Sequence, residues 1–183
     1  MISLHNFKQK QMIRRIVRMI MMPLNTLIRW YYTTLARIQS KHFGKGVHVN
    51  KKSRFGHNVY FGNNCHFNGM SVLGNGRVVF GDNFHSGEEC MIITQNHNYE
   101  GEEIPYDSTY INKEIIIEDN VWFGNRVTVT GNVTIGEGAI VGAGSVIVKD
   151  VPKCAIVGGN PAKILKYRDI AHYEHLKQER KFH

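Results

Sequence analysis

His97 is the side chain whose type and position best fit proton-transfer chemistry. It closes the segment TQNH at residues 94–97, and residues 98–113 directly after it lack the regular pattern of the surrounding chain. Long irregular excursions in compact domains are commonly functional. An imidazole can take a proton from a hydroxyl group near neutral pH. We therefore predict that His97 acts as a general base at the foot of a functional loop.

Trp122 is a second candidate because its expected orientation leaves an indole ring on the outside of the domain. It stands between Val121 and Phe123, which belong to a repeating apolar pattern and should face the interior. A large outward aromatic ring is usually covered by a ligand or by another subunit. The sequence therefore places Trp122 either in a binding cleft or in a subunit contact.

The elements that position these side chains follow from a six-residue repeat. From Ile117 onwards, large apolar residues recur at every sixth position, and small or β-branched residues recur two positions before them. The first series is Ile117, Phe123, Val129, Ile135, Val141 and Ile147; the second is Val121, Val127, Val133, Ala139 and Ser145. Residues of one parity face the same interior on short strands. Glycine and asparagine residues between them permit a bend in each hexad.

The same rhythm occurs in the first half of the chain. It runs through Phe55, Phe61, Phe67 and Leu73, and after one inserted residue Phe80 resumes it. Three six-residue sides close a triangular coil, and stacked coils bury a continuous apolar column. We predict a mainly β protein with a parallel β-helix over residues 45–163, followed by a short C-terminal helix over residues 164–183.

The hexads resemble those of the left-handed parallel β-helix acyltransferases of the hexapeptide-repeat family, over about residues 45–165. The segments TQNH (94–97) and VWFG (121–124) are similar to the catalytic histidine and tryptophan regions of the galactoside, maltose and nodulation-factor O-acetyltransferases and related xenobiotic acetyltransferases. The resemblance implies a homotrimer with active sites between subunits, and acetyl-CoA as acyl donor. It assigns the base to His97 and the acetyl end of the cofactor channel to Trp122. The implied reaction is O-acetylation of a sugar or glycan, with an amino-sugar N-acetyltransferase or a xenobiotic acetyltransferase as alternatives.

A glycine-rich signature resembles the loop that closes over coenzyme A in this family. It reads GGNPAK over residues 158–163, where glycines permit close backbone approach and lysines can neutralise phosphate groups. Small residues at 142 and 143 would leave one edge of the coil slim enough for a pantetheine arm. The predicted cofactor-binding residues are Trp122, Gly142, Ala143, Gly159, Asn160, Pro161, Lys163 and Lys166.

The acceptor is expected to contact the excursion and nearby polar residues. Tyr99 and the other tyrosines and acids of residues 99–112 offer rings for stacking on sugars and oxygens for sugar hydroxyls. Asn68, Asn96 and Trp122 are further candidates for substrate contact. Asparagine is also common at the bends of a β-helix, so a purely structural role stays open for both amides.

The first 44 residues form a separate segment with helical spacing. One side of the predicted helix carries Ile13, Ile16, Val17, Ile20, Leu24, Leu27, Ile28 and Tyr31, with arginines between them. The longest uncharged run contains Pro23 and is too short to span a bilayer. Two interpretations stay open: a membrane-surface helix over residues 10–35, or a helix packed on the domain or against another subunit.

Composition limits the partners and the compartment. The chain has 183 residues and a formal net charge of +8, but Lys and Arg concentrate in residues 8–54 and 149–181 without a nucleic-acid motif. We expect no nucleic-acid partner. Cys65, Cys90 and Cys154 are odd in number and far apart, which argues against a disulfide framework. We expect a cytoplasmic protein, either free or peripheral at the inner face of the membrane.

Three further histidines share the outward register at intervals of about one coil: His48, His66 and His85. Such a column could hold a metal ion, and the same fold includes zinc-dependent carbonic anhydrases. The short histidine spacing of those enzymes is missing next to His97, because position 102 is Glu102. We expect no metal, and keep a zinc enzyme and a non-catalytic scaffold as alternatives to the transferase.

Overall fold

Short strands paired with strands one coil away make up the centre of the chain. The computed structural model describes the backbone of residues 2–183 and, within the first helix, the side chains of Met12 and of residues from Met21 onwards. Helix α1 spans Ile2–Gln39 and helix α2 spans Ile170–Gln178. The strands are β1 His42–Phe43, β2 His48–Val49, β3 Val59–Phe61, β4 His66–Leu73, β5 Val78–Phe80, β6 His85–Ile93, β7 Gln95–His97, β8 Tyr110–Asn112, β9 Ile115–Ile117, β10 Trp122–Phe123, β11 Thr128–Thr130, β12 Val133–Ile135, β13 Ile140–Val141, β14 Val146–Ile147, β15 Ala155–Gly159 and β16 Ala162–Tyr167.

The strands stack into the three faces of a prism. The first face orders β1-β3-β5-β9-β12, all parallel. The second contains β2, the first halves of β4 and β6, then β10, β13 and β15. The third contains the second halves of β4 and β6, then β11 and β14. This confirms the predicted fold, a mainly β parallel β-helix with a helix at each end of the chain.

The interior changes from aromatic to aliphatic along the prism axis. The aromatic part is a set of phenylalanine rings in mutual contact: Phe55, Phe61, Phe67, Phe80, Phe84 and Phe123. Valine and isoleucine fill the later coils. Every member of the two predicted series from Ile117 to Ile147 is buried, so the hexad frame is confirmed there.

The predicted frame is wrong by one residue at Leu73. The structure buries Val72 and leaves Leu73 partly exposed. The register between β4 and β6 shifts after His66, and Gly69 turns the chain with φ +100°. This corner of β4 is therefore one residue shorter than the adjacent corner of β6.

One prism corner is built from residues in the left-handed backbone region. Gly46, Asn64, Asn83, Asn120, Gly138 and Cys154 all have φ between 54° and 70°. Asparagine tolerates this conformation better than most residues, because its short amide can bond locally. The amides also form a ladder: Asn64 donates to Asn83 and Asn83 donates to Asn120, each at 2.9 Å.

The ladder ends on helix α2. The Asn120 amide donates to Oη of Tyr173 at 2.9 Å, and the Tyr173 hydroxyl donates to Glu137 at 2.8 Å. Tyr173 is the buried residue of α2, which begins after its N-cap Asp169. The predicted start of the C-terminal helix at residue 164 is wrong, because residues 162–167 pair with β15 as strand β16.

Helix α1 contacts the prism near its C-terminal end. Ala36 is buried, Tyr32 packs against the core, and Oγ1 of Thr33 accepts a hydrogen bond from the backbone N–H of Val49 at 3.0 Å. Across the described residues, no helix is long and apolar enough to cross a membrane.

Candidate active site

The excursion after the third coil is an ordered β-hairpin. Strands β7 and β8 pair antiparallel, and the N–H of Lys113 returns to the carbonyl oxygen of Thr94 at 2.8 Å. Farther out, the Asn98 N–H donates to Thr109 O, and Oδ1 of Asp107 accepts from the Thr109 N–H at 2.8 Å. The hairpin therefore replaces the corner between the third and first prism faces and projects from it.

His97 is the last residue of β7 and lies against two tyrosine rings. Its imidazole stacks on Tyr106, with ring centroids 4.0 Å apart and planes 18° apart. Tyr110, its cross-strand partner, contributes a second ring at 4.7 Å. Stacking of this kind restricts the ring to one orientation while its edge stays open. The imidazole is solvent-exposed, as a group that exchanges protons with a substrate requires.

These rings line a cavity of about 390 Å³ on the hairpin. Its walls are Gln95, Asn96, His97, Tyr99, Tyr106 and Tyr110. Three of the residues predicted at the site, His97, Asn96 and Tyr99, are therefore brought together. Tyr106 and Tyr110 were expected only as part of the acceptor loop, because their contact with His97 depends on the β7–β8 register.

Trp122 lies on the second prism face, away from the hairpin cavity. It pairs in register with His85 and Ile140, and its side chain is 55% exposed. It lines a cavity of about 420 Å³ beneath α2, together with His85, Tyr173, Lys177 and His183. No residue lines both this cavity and that of His97. Within one chain the two predicted chemical groups therefore do not share a cavity.

The predicted histidine column is present beside Trp122. His48 pairs with His66 and His66 with His85, with ring centroids 5.0 and 4.5 Å apart. Burial, and then the neighbouring His85 and His48, lower the pKa of His66 to about 4. The His66 and His85 rings stack face to face, and among the described residues no three His, Cys, Asp or Glu side chains converge as metal ligands.

The residues predicted to contact the cofactor lie at one prism corner and on one hairpin. Gly142 lies at the corner between the second and third faces, and Ala143 lines a groove of about 430 Å³ there with Glu88 and Arg126. Residues 158–163, expected as a loop, form the tip of the β15–β16 hairpin, with residues 160–161 as its turn. Gly159, Asn160, Pro161, Lys163 and Lys166 are all exposed on this hairpin.

Asn68 forms hydrogen bonds to the neighbouring coils. Its Nδ2 donates to the carbonyl oxygen of Ser86 at 2.7 Å, and its Oδ1 accepts from Asn50 at 3.0 Å. Asn68 is half-buried, and these bonds join three successive coils. Asn96, in contrast, is exposed beside His97.

Comparison with known proteins places this geometry in a family. The family model described as bacterial transferase hexapeptide (six repeats) matches residues 114–149. A hexapeptide-repeat-containing acetyltransferase from Vibrio cholerae is 32% identical, with a TM-score of 0.66 over 73% of this chain and 77% of that one. The chain belongs to the hexapeptide-repeat acetyltransferase family. The Vibrio cholerae protein has also been solved in complex with acetyl coenzyme A.

Two further relatives show how much of the chain the similarity covers. A maltose O-acetyltransferase from Clostridium difficile is 26% identical, with a TM-score of 0.60 over 80% of this chain and 89% of that one. A Saccharomyces cerevisiae protein, provisionally named an acetyltransferase, is 33% identical over 113 residues, 61% of this chain and 57% of that protein. The chain thus spans little more than half the length of the curated relatives it matches.

Proposed function

We propose that the protein is an acetyl-CoA-dependent O-acetyltransferase that modifies a sugar or glycan hydroxyl, with His97 as general base. The observation that carries this proposal is the exposed His97 imidazole, in contact with two tyrosine rings on a hairpin of a hexapeptide-repeat prism. Membership of the acetyltransferase family and the acetyl coenzyme A complex of the Vibrio cholerae relative support the choice of donor.

In the proposed reaction, an imidazole nitrogen of His97 takes the proton of the acceptor hydroxyl as its oxygen attacks the thioester carbonyl. A neutral alcohol is a weak nucleophile, so proton removal in the transition state lowers the barrier. The tetrahedral intermediate collapses, the C–S bond breaks, and the leaving thiolate of coenzyme A takes up the proton that His97 removed. Tyr106 and Tyr110 hold the imidazole in place during both proton movements.

The proposed active unit is a homotrimer with each site between two subunits. The support is the separation of the groups within one chain: His97 projects from one prism corner, whereas Trp122 and the Gly142–Ala143 corner lie elsewhere. In a cyclic trimer one patch of each subunit meets a different patch of the next. The His97 hairpin of one subunit can then face Trp122 of its neighbour.

The proposed donor contacts combine a slim edge with a basic hairpin. Gly142 and Ala143 provide the edge for the pantetheine arm, and Lys163 and Lys166 provide positive charge for the phosphates. Gly159, the last residue of β15, and the turn residues Asn160 and Pro161 would close over the donor. The proposed acceptor contacts are Tyr99 and Asn96 in the hairpin cavity, with Asn68 and Trp122 contributed from the facing prism.

The proposed setting is the synthesis of a cell-surface polysaccharide or a lipid-linked precursor in the cytoplasm, with residues 10–35 in contact with the inner face of the membrane. The basic, amphipathic N-terminal segment supports this setting. The three cysteines are free and buried, as expected in a reducing compartment.

An acceptor screen tests the proposal. Purified protein is mixed with acetyl-CoA and a panel of sugars, glycan fragments, amino sugars and aromatic drugs, and thiol release is followed. Release that depends on a hydroxylated sugar, with an O-acetyl product identified by mass spectrometry, is the expected result. Release only with amino sugars would replace O-acetylation by N-acetylation, and no release with any acceptor would favour a scaffold.

A further inference from the structure

Helix α1 packs on the prism through its more polar side. The contacts come from Tyr32, Thr33 and Ala36, which lie close together around the helix axis. The apolar residues spaced three and four apart lie on the other side and are exposed: Leu24, Leu27, Ile28, Tyr31 and Ile38. A helix that used its apolar face to pack on its own domain would show the reverse.

The exposed apolar residues form a continuous stripe. Leu27 is 63% exposed and Ile38 is 72% exposed. In the sequence the same spacing continues towards the N-terminus at Ile13, Ile16, Val17 and Ile20. A long contiguous apolar stripe on a surface helix marks an interaction site.

The charge distribution indicates what this stripe meets. Residues 1–81 contain thirteen Lys and Arg residues and no Asp or Glu, whereas residues 82–183 contain ten and fifteen. Because the chain climbs the prism coil by coil, the end that carries α1 is cationic, and the acidic residues concentrate in the middle coils, where residues 82–136 contain ten Asp and Glu and two Lys and Arg. Polybasic segments beside an apolar helix face are attracted to anionic lipid headgroups.

A polar cavity lies between α1 and the first coil, at the same cationic end. It has a volume of about 340 Å³ and is lined by Asn25, Thr26, Arg29, Asn50 and Lys51. Arg29 can present a bidentate donor to phosphate, and the two amides add neutral hydrogen-bond donors. The helix residues among them lie on the side of α1 opposite the apolar stripe.

We propose that the N-terminal end of the protein docks on an anionic phospholipid bilayer. The apolar stripe of α1 lies in the interfacial region, and the basic side chains of residues 29–54 contact lipid phosphates. The prism then stands on the membrane by its first coil. This docking is independent of the acetyl-transfer chemistry, and it would hold an acetyltransferase next to lipid-linked acceptors.

A second copy of the chain is a less suitable occupant of the stripe. Identical α1 helices packed against each other would bring acid-free basic segments together without a carboxylate to pair with them. An anionic bilayer supplies both the apolar phase and the opposite charge.

Vesicle co-flotation of the full-length protein tests the proposal. Vesicles of phosphatidylcholine alone are compared with vesicles containing phosphatidylglycerol, using Leu27→Glu and Met22→Glu. Both residues are exposed, at 63% and 59%, and the two substitutions add the same charge. Met22 precedes Thr33 by eleven residues, three helical turns, and so lies on the prism side of α1.

The expected result is binding that requires phosphatidylglycerol and weakens as salt is raised. Leu27→Glu should lower the fraction of protein bound by about tenfold, because a buried leucine side chain is lost from the interface. Met22→Glu should bind as the wild type does. Equal binding to both kinds of vesicle, or equal losses in the two variants, would overturn the proposal.

Light scattering without lipid tests the competing occupant. If Leu27→Glu dissociates the oligomer while its vesicle binding matches the wild type, the stripe is an interface between copies and the proposal is wrong. Acetylation of a soluble acceptor is measured in parallel. Loss of vesicle binding with unchanged acetylation separates this inference from the proposed reaction.

Discussion

The ring of Tyr106 covers one face of the His97 imidazole, with centroids 4.0 Å apart and planes 18° apart. Tyr106 comes from the returning part of the excursion, so the hairpin supplies both the proposed base and the group that orients it. The contact predicts a positioning role for Tyr106 that is separable from acceptor binding.

Replacing Tyr106 should change turnover more than affinity. Tyr106→Ala removes the stacked ring and should lower kcat by about tenfold or more, because a freely rotating imidazole is less often aligned. Tyr106→Phe keeps the ring and should retain kcat. Tyr99→Ala, in the same cavity, should mainly raise KM for the acceptor. Steady-state kinetics of the three variants distinguish these roles, and an unchanged kcat in Tyr106→Ala would remove the positioning role.

The proposed placement of each site between two subunits predicts complementation between two inactive chains. His97→Ala and Trp122→Ala subunits carrying different affinity tags are co-expressed, and mixed trimers are isolated through both tags. A cyclic trimer has three interfaces. In a trimer that contains both variants, one of these interfaces brings an intact His97 together with an intact Trp122. The mixed trimers should therefore recover about one third of wild-type activity. Activity no higher than that of either parent would place each site within one chain.

The tight stacking of coils predicts different losses of stability when two similar glycines are replaced by alanine. Gly124 and Gly56 each follow a phenylalanine in a hexad, but an added Cβ at Gly124 would lie 2.6 Å from the backbone nitrogen of Ala143. At Gly56 the nearest atom would be 3.6 Å away. Gly124→Ala should destabilise the fold by about 1–3 kcal/mol, and Gly56→Ala should be close to neutral. Chemical unfolding followed by circular dichroism measures both, and equal losses would contradict this packing.

The hexads were predictable because their period is visible in the residues themselves. The burial of Val72 in place of Leu73 was not predictable, because it results from a shortened corner of β4 that is visible only in the strand pairing. Nor did the sequence show which side of α1 meets the prism, because Tyr32, Thr33 and Ala36 are individually unremarkable. His97 could be found from its place before the excursion, whereas its ring contacts depend on how the hairpin pairs.

Acid should weaken the fold through the histidine column. The pKa of His66 falls to about 4, first because of burial and then because of His85 and His48. The unfolded chain binds a proton near pH 6.5, which the folded chain takes up only near pH 4. The contribution of this site is therefore complete above pH 6.5 and is lost as the pH falls towards 4.

Urea unfolding between pH 7.5 and 4.5 measures this effect. His66→Gln removes the titrating group and should flatten the pH dependence of the unfolding free energy over this range. A variant with the same pH dependence as the wild type would show that His66 does not contribute to it.

The most direct test of the proposed mechanism is the rate of thiol release from acetyl-CoA by His97→Ala, measured with the best acceptor of the screen. His42→Ala, an exposed histidine on the first coil, serves as the matched control. For His97→Ala we expect kcat to fall by about 10²–10⁴-fold, with unchanged unfolding and oligomeric state, and for His42→Ala we expect no change. A His97→Ala protein that turns over within a few-fold of the wild type would contradict the assignment of His97 as the general base.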